Sequence, residues 1–140
     1  MANALYPKWK EAIEQASSNS ALSSTNVRIA FLDTGTYTYS SSHQFYSSLS
    51  GVYPTTRATG VALANKTYTN GVLDADDTVF SAFSNGSVSV EAIAMYIDDG
   101  SADASSRLVM YEDTSVTGLP FTPSGADVTI QWNASGIFAL

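Results

Sequence analysis

VRIAFLD, residues 27–33, decides the fold class. It is apolar at nearly every position, as a strand is when both of its faces are covered. Thr34–Gly35 then turns the chain. TYTYS at 36–40 alternates, which puts Tyr37 and Tyr39 on one face. Phe45 and Leu49 are four apart, so Ser40 to Leu49 holds a helical turn.

The rest of the chain reads as short strands between turn signals. Residues 61–69 lead into Asn70–Gly71 and then Val72–Leu73; Asn-Gly is the strongest two-residue hairpin signal, because both central positions of a type I′ turn need positive φ. DADD at 74–77 is a second polar turn. TVFSAF (78–83) is a strand, and Asn85–Gly86 closes a hairpin into SVSVEAIAMYID (87–98). DDGSADASS (98–106) is a loop before RLVMYE (107–112). A long loop with Gly118, Pro120, Pro123 and Gly125 leads to DVTIQW (127–132), and IFAL ends the sequence. About eight short strands at regular spacing predict a mainly β domain, an antiparallel sandwich or jelly roll.

Upstream, residues 7–16 form one short helix. Pro7 fits its first turn, and Trp9, Ile13 and Ala16 repeat at helical spacing. SSNSALSST (17–25) is a polar linker. Residues 1–25 are therefore expected as a helical arm and linker on a single domain spanning 1–140.

Composition agrees. The 140 residues hold 21 Ser and 14 Thr, and only 14% are charged, which suits hydroxyl-covered β-structure rather than long solvated helices. Sixteen aromatics argue against disorder. The absence of cysteine excludes disulfides, thiolate metal sites and a cysteine nucleophile. Net charge is -7 and uneven: residues 67–140 carry one basic side chain, Arg107, and ten acidic ones. That balance disfavours direct nucleic-acid binding, which needs Lys and Arg against phosphate. No signal-peptide core or membrane-length apolar run is visible, so synthesis in the cytoplasm without a cleaved signal is expected.

Candidate chemistry is sparse. The single histidine, His43, follows Ser40, Ser41 and Ser42, but adjacency does not make a Ser-His-Asp constellation, and G-x-S-x-G is absent. Asp74, Asp76 and Asp77, Asp98 and Asp99, and Glu112 and Asp113 are acidic clusters with oxygen ligands suited to Ca²⁺. An EF-hand starting at Asp74 needs Gly at 79 and Glu at 85, where this chain has Val79 and Asn85; turn acids are the better reading. Glu91 is an acid inside an apolar strand, with Arg28 or Arg107 as ion-pair partners if it faces an interface. Sequons at Asn65, Asn85 and Asn133 occur about as often as chance predicts. The sequence thus predicts no catalytic, cofactor-binding or metal-ligating residue, and no enzyme.

The remaining signals are apolar side chains with two readings each, packing or partner contact. They are Trp9 and Ile13 on the helix, Tyr37 and Tyr39, Pro120 and Phe121 in a Pro/Gly loop, and Phe138 and Leu140 at the end. Together they form the candidate interface set, since large aromatic side chains anchor many interfaces.

Several segments carry a family resemblance: LYPKWKEA (5–12), VRIAFLDTGTYTYSSSHQF (27–45), TNGVLDADDTVFSA (69–82), VEAIAMYIDDGSADASSRLVMY (90–111), TGLPFTPSGADVTIQW (117–132) and GIFAL (136–140). In order, and over most of the chain, they resemble small virion proteins of tailed double-stranded-DNA bacteriophages. The resemblance implies a particle component, most commonly a capsid decoration or cement protein. Such a protein sits on the exterior of the major capsid lattice as a homodimer or homotrimer. A tail or neck component that binds host glycans is the alternative. No residue-level motif comes with the resemblance.

Overall fold

The computed structural model describes residues 3–113 and 117–140; residues 114–116 of the expected long loop lie outside that range. Among the described residues the chain is mainly β, with eleven short strands in antiparallel sheets and one short α-helix. The layered arrangement is compatible with the expected sandwich.

The central sheet has the order β1 (Ala4–Leu5), β9 (Arg107–Glu112), β8 (Ala92–Ile97), β2 (Val27–Leu32) and β3 (Val52–Tyr53), with β4 (Val61–Ala62) also paired to β2. Its three long strands are those with the densest apolar runs. In β8 all six residues are buried, and in β2 only Arg28 is partly exposed. Two-sided burial explains why these strands do not alternate.

Cross-strand pairs share a face, so the register assigns the covers. Val27, Ile29 and Phe31 lie opposite Ile97, Met95 and Ile93. Phe31 packs there against Phe80, Phe83 and Phe121, at centroid distances of 4.7, 5.4 and 5.0 Å. This is the phenylalanine face. Arg28, Ala30 and Leu32 lie opposite Tyr96, Ala94 and Ala92. Tyr96 packs against Tyr46 at 4.7 Å with the rings tilted, and Tyr111, paired with Ala94, meets Tyr39 at 5.4 Å. This is the tyrosine face, roofed by the irregular chain between β2 and β4.

Two small sheets complete the body: β7 (Thr78–Phe80) with β10 (Val128–Ile130), and β11 (Phe138–Ala139), β6 (Val72–Asp74) and β5 (Thr67–Thr69) in that order. The Asn70–Gly71 hairpin forms as read: Thr69 pairs with Val72, and the two turn residues have φ of 52° and 79°. The Asn85–Gly86 hairpin does not. Asn85 closes a local turn on Val88 instead, while β7 pairs with β10 and β8 with β2. A two-residue signal specifies the turn but not which strands pair across it. TYTYS (36–40) is likewise no strand; Tyr37 and Tyr39 keep their common direction but belong to the roof.

The helix, α1 (Pro7–Glu14), ends in a Schellman arrangement. Ser17 N–H donates to Ala12 O and Ala16 N–H to Ile13 O, with Ala16 at φ 50°. The expected free arm is instead docked on the body. Trp9 is 1% exposed, its Nε1 donates to Ser20 O at 2.9 Å, and its ring meets Phe138 edge-on at 5.8 Å. Asn19 in the expected linker donates to Ile97 O and Ser105 O. Burying a large aromatic side chain is worth about 1.5–3 kcal/mol, which favours docking over a free arm. Among the described residues no helix is long and apolar enough to cross a membrane.

Candidate functional site

The candidate interface residues scatter once folded. Tyr37 is 2% exposed, and its hydroxyl bonds the Tyr6 hydroxyl at 2.7 Å and His43 Nδ1 at 2.9 Å. Burial pushes the Tyr37 hydroxyl pKa up to about 12. Tyr39 is half-buried against Tyr6 and Tyr111. Trp9 and Phe138 pack against each other. Ile13 and Leu140 stay exposed, as does Pro120. Phe121 folds back: its N–H and C=O both bond Val90, and its ring stands edge-on to Phe31.

The polar candidates also separate. His43 Nδ1 is taken by Tyr37, while Ser42 Oγ bonds Ser40 Oγ, so histidine and serine are not brought into a nucleophile–base pair. Glu91 forms neither expected ion pair; it accepts from Thr34 N–H at 2.9 Å and from Thr34 Oγ1 at 3.3 Å. Arg28 turns instead to Asp98, and Arg107 donates to Ser18 O beneath the Phe45 ring. Asp98 is 4% exposed and also binds Arg57, which reaches on to Asp103.

The acidic clusters act mainly as turn acids. Asp99 accepts from the Ser105 hydroxyl, from Ser101 and Ala102 N–H and from the Ser106 hydroxyl, which together hold its carboxyl well below the usual carboxylate range. Asp74 caps Ala75 N–H, Asp76 holds Asn65, and Asp77 accepts from Trp132 N–H. Their carboxylates point to different partners rather than converging.

What the fold does assemble is a groove of about 810 Å³. Its floor is the edge of the phenylalanine face, with Phe31, Ile93 and Phe121; Trp132 and Ile137 form apolar walls. Amides of Gln131, Asn133 and Asn3, the Glu112 carboxyl and the hydroxyls of Thr117, Thr129 and Ser135 supply the polar groups. Each wall has a local cause. Trp132 is fixed by its N–H to Asp77 and its Nε1 to Thr78 Oγ1 at 3.1 Å. Ile137 N–H donates to Leu73 O at 2.7 Å, and this close approach needs Gly136: a Cβ there would lie 2.2 Å from Val72 Cγ1, and φ is 102°.

Glu112 ends β9 opposite Ile93, so its carboxyl comes to the phenylalanine face. It is half-buried, and desolvation raises its pKa above the ordinary carboxylate range. No lysine or arginine is among the described residues that line the groove. Glu112 was visible in sequence only as half of an acidic pair. The missed signal is its place at the end of the apolar run RLVMY, where a strand still has a buried face.

No family model matches the chain, and neither does any curated protein or solved structure.

Proposed function

We propose that this chain is a structural protein of a tailed-phage particle, a capsid decoration subunit that binds the outer surface of the major capsid lattice and stabilises it. The groove carries this reading. It is an open recess of apolar rings, amides, hydroxyls and one carboxyl on a body whose central sheet is buried on both faces. Such a recess suits holding a partner, and among the described residues that line it Glu112 is the one carboxyl, so they supply no pair of acids for hydrolysis. The resemblance of most of the chain to small phage virion proteins supports the same role. In this reading the chain catalyses no reaction, acts as a homodimer or homotrimer, and meets neither nucleic acid nor membrane. It is synthesised in the host cytoplasm and resides on the capsid exterior. Repetition over the lattice sums individually weak contacts against the pressure of packed DNA.

Recombinant protein added to mature empty capsids is expected to raise their disruption temperature. No change at saturating protein removes the proposal. Quantitative mass spectrometry of purified particles should find hundreds of copies; a dozen or fewer argues for the neck or tail.

That outcome would favour the second reading, a tail or neck component that binds host glycans. Tyr37 and Tyr39 offer no stacking face to a sugar, because both rings are packed. The groove carries this second reading: Trp132 beside Gln131 and Asn133 offers a ring and amides to a sugar. A glycan array of host surface sugars tests it, and silence across the array ends it.

A further inference from the structure

β10 belongs to a two-stranded sheet, so β7 holds only one of its edges. Every residue from Val128 to Asn133 lines the groove. Alternate side chains of a strand point to opposite faces, so the three consecutive strand residues Val128, Thr129 and Ile130 meet the groove along the strand's edge. Among the described residues, the backbone of Val128–Ile130 bonds to β7 alone. An exposed row of unpaired N–H and C=O groups is a template for another strand. Among the described residues this short edge, Val128–Ile130, carries no lysine or proline.

Two observations say what chemistry fits that template. Glu112 lines the same groove with no lysine or arginine among the described residues of that lining, and residues 67–140 carry ten acidic side chains against one basic one. Apolar rings of Phe121 and Trp132 adjoin it. A saccharide satisfies the ring and amide groups but cannot match the regular spacing of a strand edge.

We propose that the free edge of β10 captures an extended segment of a partner protein as an added strand. The segment carries a lysine or arginine to Glu112 and apolar side chains onto Phe121 and Trp132. Main-chain hydrogen bonds would supply affinity and the groove its selectivity. The inference names a surface and a partner chemistry and does not require that the partner be a capsid protein.

The test uses the full chain and an acetylated octapeptide of alternating lysine and valine, read by amide hydrogen exchange. Exchange within Val128–Ile130 is expected to slow on binding, and Glu112→Gln to weaken the peptide about tenfold. The same peptide N-methylated along its backbone should not bind, a control that leaves the protein untouched. Equal binding of the N-methylated peptide, or of a glutamate–valine peptide, overturns the proposal. Protection that grows with protein concentration alone overturns it in favour of a second copy, and protection by maltohexaose in favour of a sugar. No capsid takes part, so failure here leaves the virion reading to the disruption-temperature measurement.

Discussion

The two faces of the central sheet are covered in different ways. On the phenylalanine face, Phe31, Phe80, Phe83 and Phe121 meet with no polar atom among their side chains. On the tyrosine face, Tyr6, Tyr37, Tyr39, Tyr46, Tyr96 and Tyr111 bring hydroxyls into the interior. Most of those hydroxyls are tied: Tyr6 to Tyr37, Tyr37 to His43, Tyr96 to Arg57 O and Tyr111 to Asp113. Apolar packing fixes volume but not direction, whereas each buried hydroxyl demands a partner at one place. The irregular roof over the tyrosine face is therefore positioned by hydrogen bonds where it lacks a strand ladder. The phenylalanine side is left free to open into a groove.

The largest effects should separate these covers. Phe31→Ala removes the ring on which three others converge, and is expected to cost about 3–5 kcal/mol in denaturant unfolding. Asp98→Ala on the opposite side removes the carboxylate shared by Arg28 and Arg57, 21% and 13% exposed, leaving them Gly60 O and Asp103, and should cost about 3 kcal/mol. The pair sharpens the comparison through salt. Phe31→Ala should lose the same stability at low and high salt. Asp98→Ala should lose somewhat less as salt screens the partly exposed arginines. Equal salt response would mean that the ion group does not hold the roof.

The difference between the faces also marks what was legible in sequence. Strands buried on both sides announce themselves, and VRIAFL and AIAMYI are where dense apolar runs place them. The Asn70–Gly71 turn was legible because its chemistry is local. Tyr37 and Tyr39 were misread because a tyrosine pair looks alike on a sheet and in a roof; only the distant partners Tyr6 and Tyr111 decide. Trp9 was assigned to an arm for the same reason, since Ser20 and Phe138 are what bury it. The groove was illegible because it draws together Asn3, β2, β8, β9 and residues between 117 and 137. Sequence spacing holds no trace of that convergence.

Within the tyrosine face, two conservative changes should differ. Tyr6 is fully buried, and its hydroxyl bonds Tyr37, while Tyr37 has both Tyr6 and His43. Tyr37→Phe orphans a buried hydroxyl and should cost about 1–3 kcal/mol. Tyr6→Phe leaves Tyr37 with His43 and should cost about 1 kcal/mol or less. Equal costs would mean that the chain of hydroxyls is not what anchors the roof.

Glu112 gives a smaller effect with a sign set by pH. Desolvation raises its folded pKa above the unfolded value of about 4.3. Below that value both states are protonated and the carboxyl costs nothing. As pH rises, the unfolded state ionises first, and stability falls until pH passes the folded pKa. Glu112→Gln should therefore melt higher than wild type at pH 7, with the gap closing below about pH 4. A constant gap across pH would place the effect in packing rather than in ionisation.

The smallest expected change is the most discriminating about the tyrosine face. Tyr46 is 4% exposed, its backbone N–H is held by Ser106 O at 2.8 Å, and its ring packs against Tyr96. Its hydroxyl is buried without a hydrogen-bond partner among the described residues. Burial pushes its pKa up to about 12, and nearby Asp103 adds to the rise. Tyr46→Phe keeps the ring contact and deletes an unsatisfied group, so stability should stay within about 0.5 kcal/mol of wild type, on the stable side. The other buried tyrosines should lose stability by the same change, because their hydroxyls have partners. A loss at Tyr46 as large as at Tyr37 would mean that its hydroxyl is satisfied in solution, by water or by Asp103. The tyrosine face would then be hydrogen-bonded throughout, without this one defect.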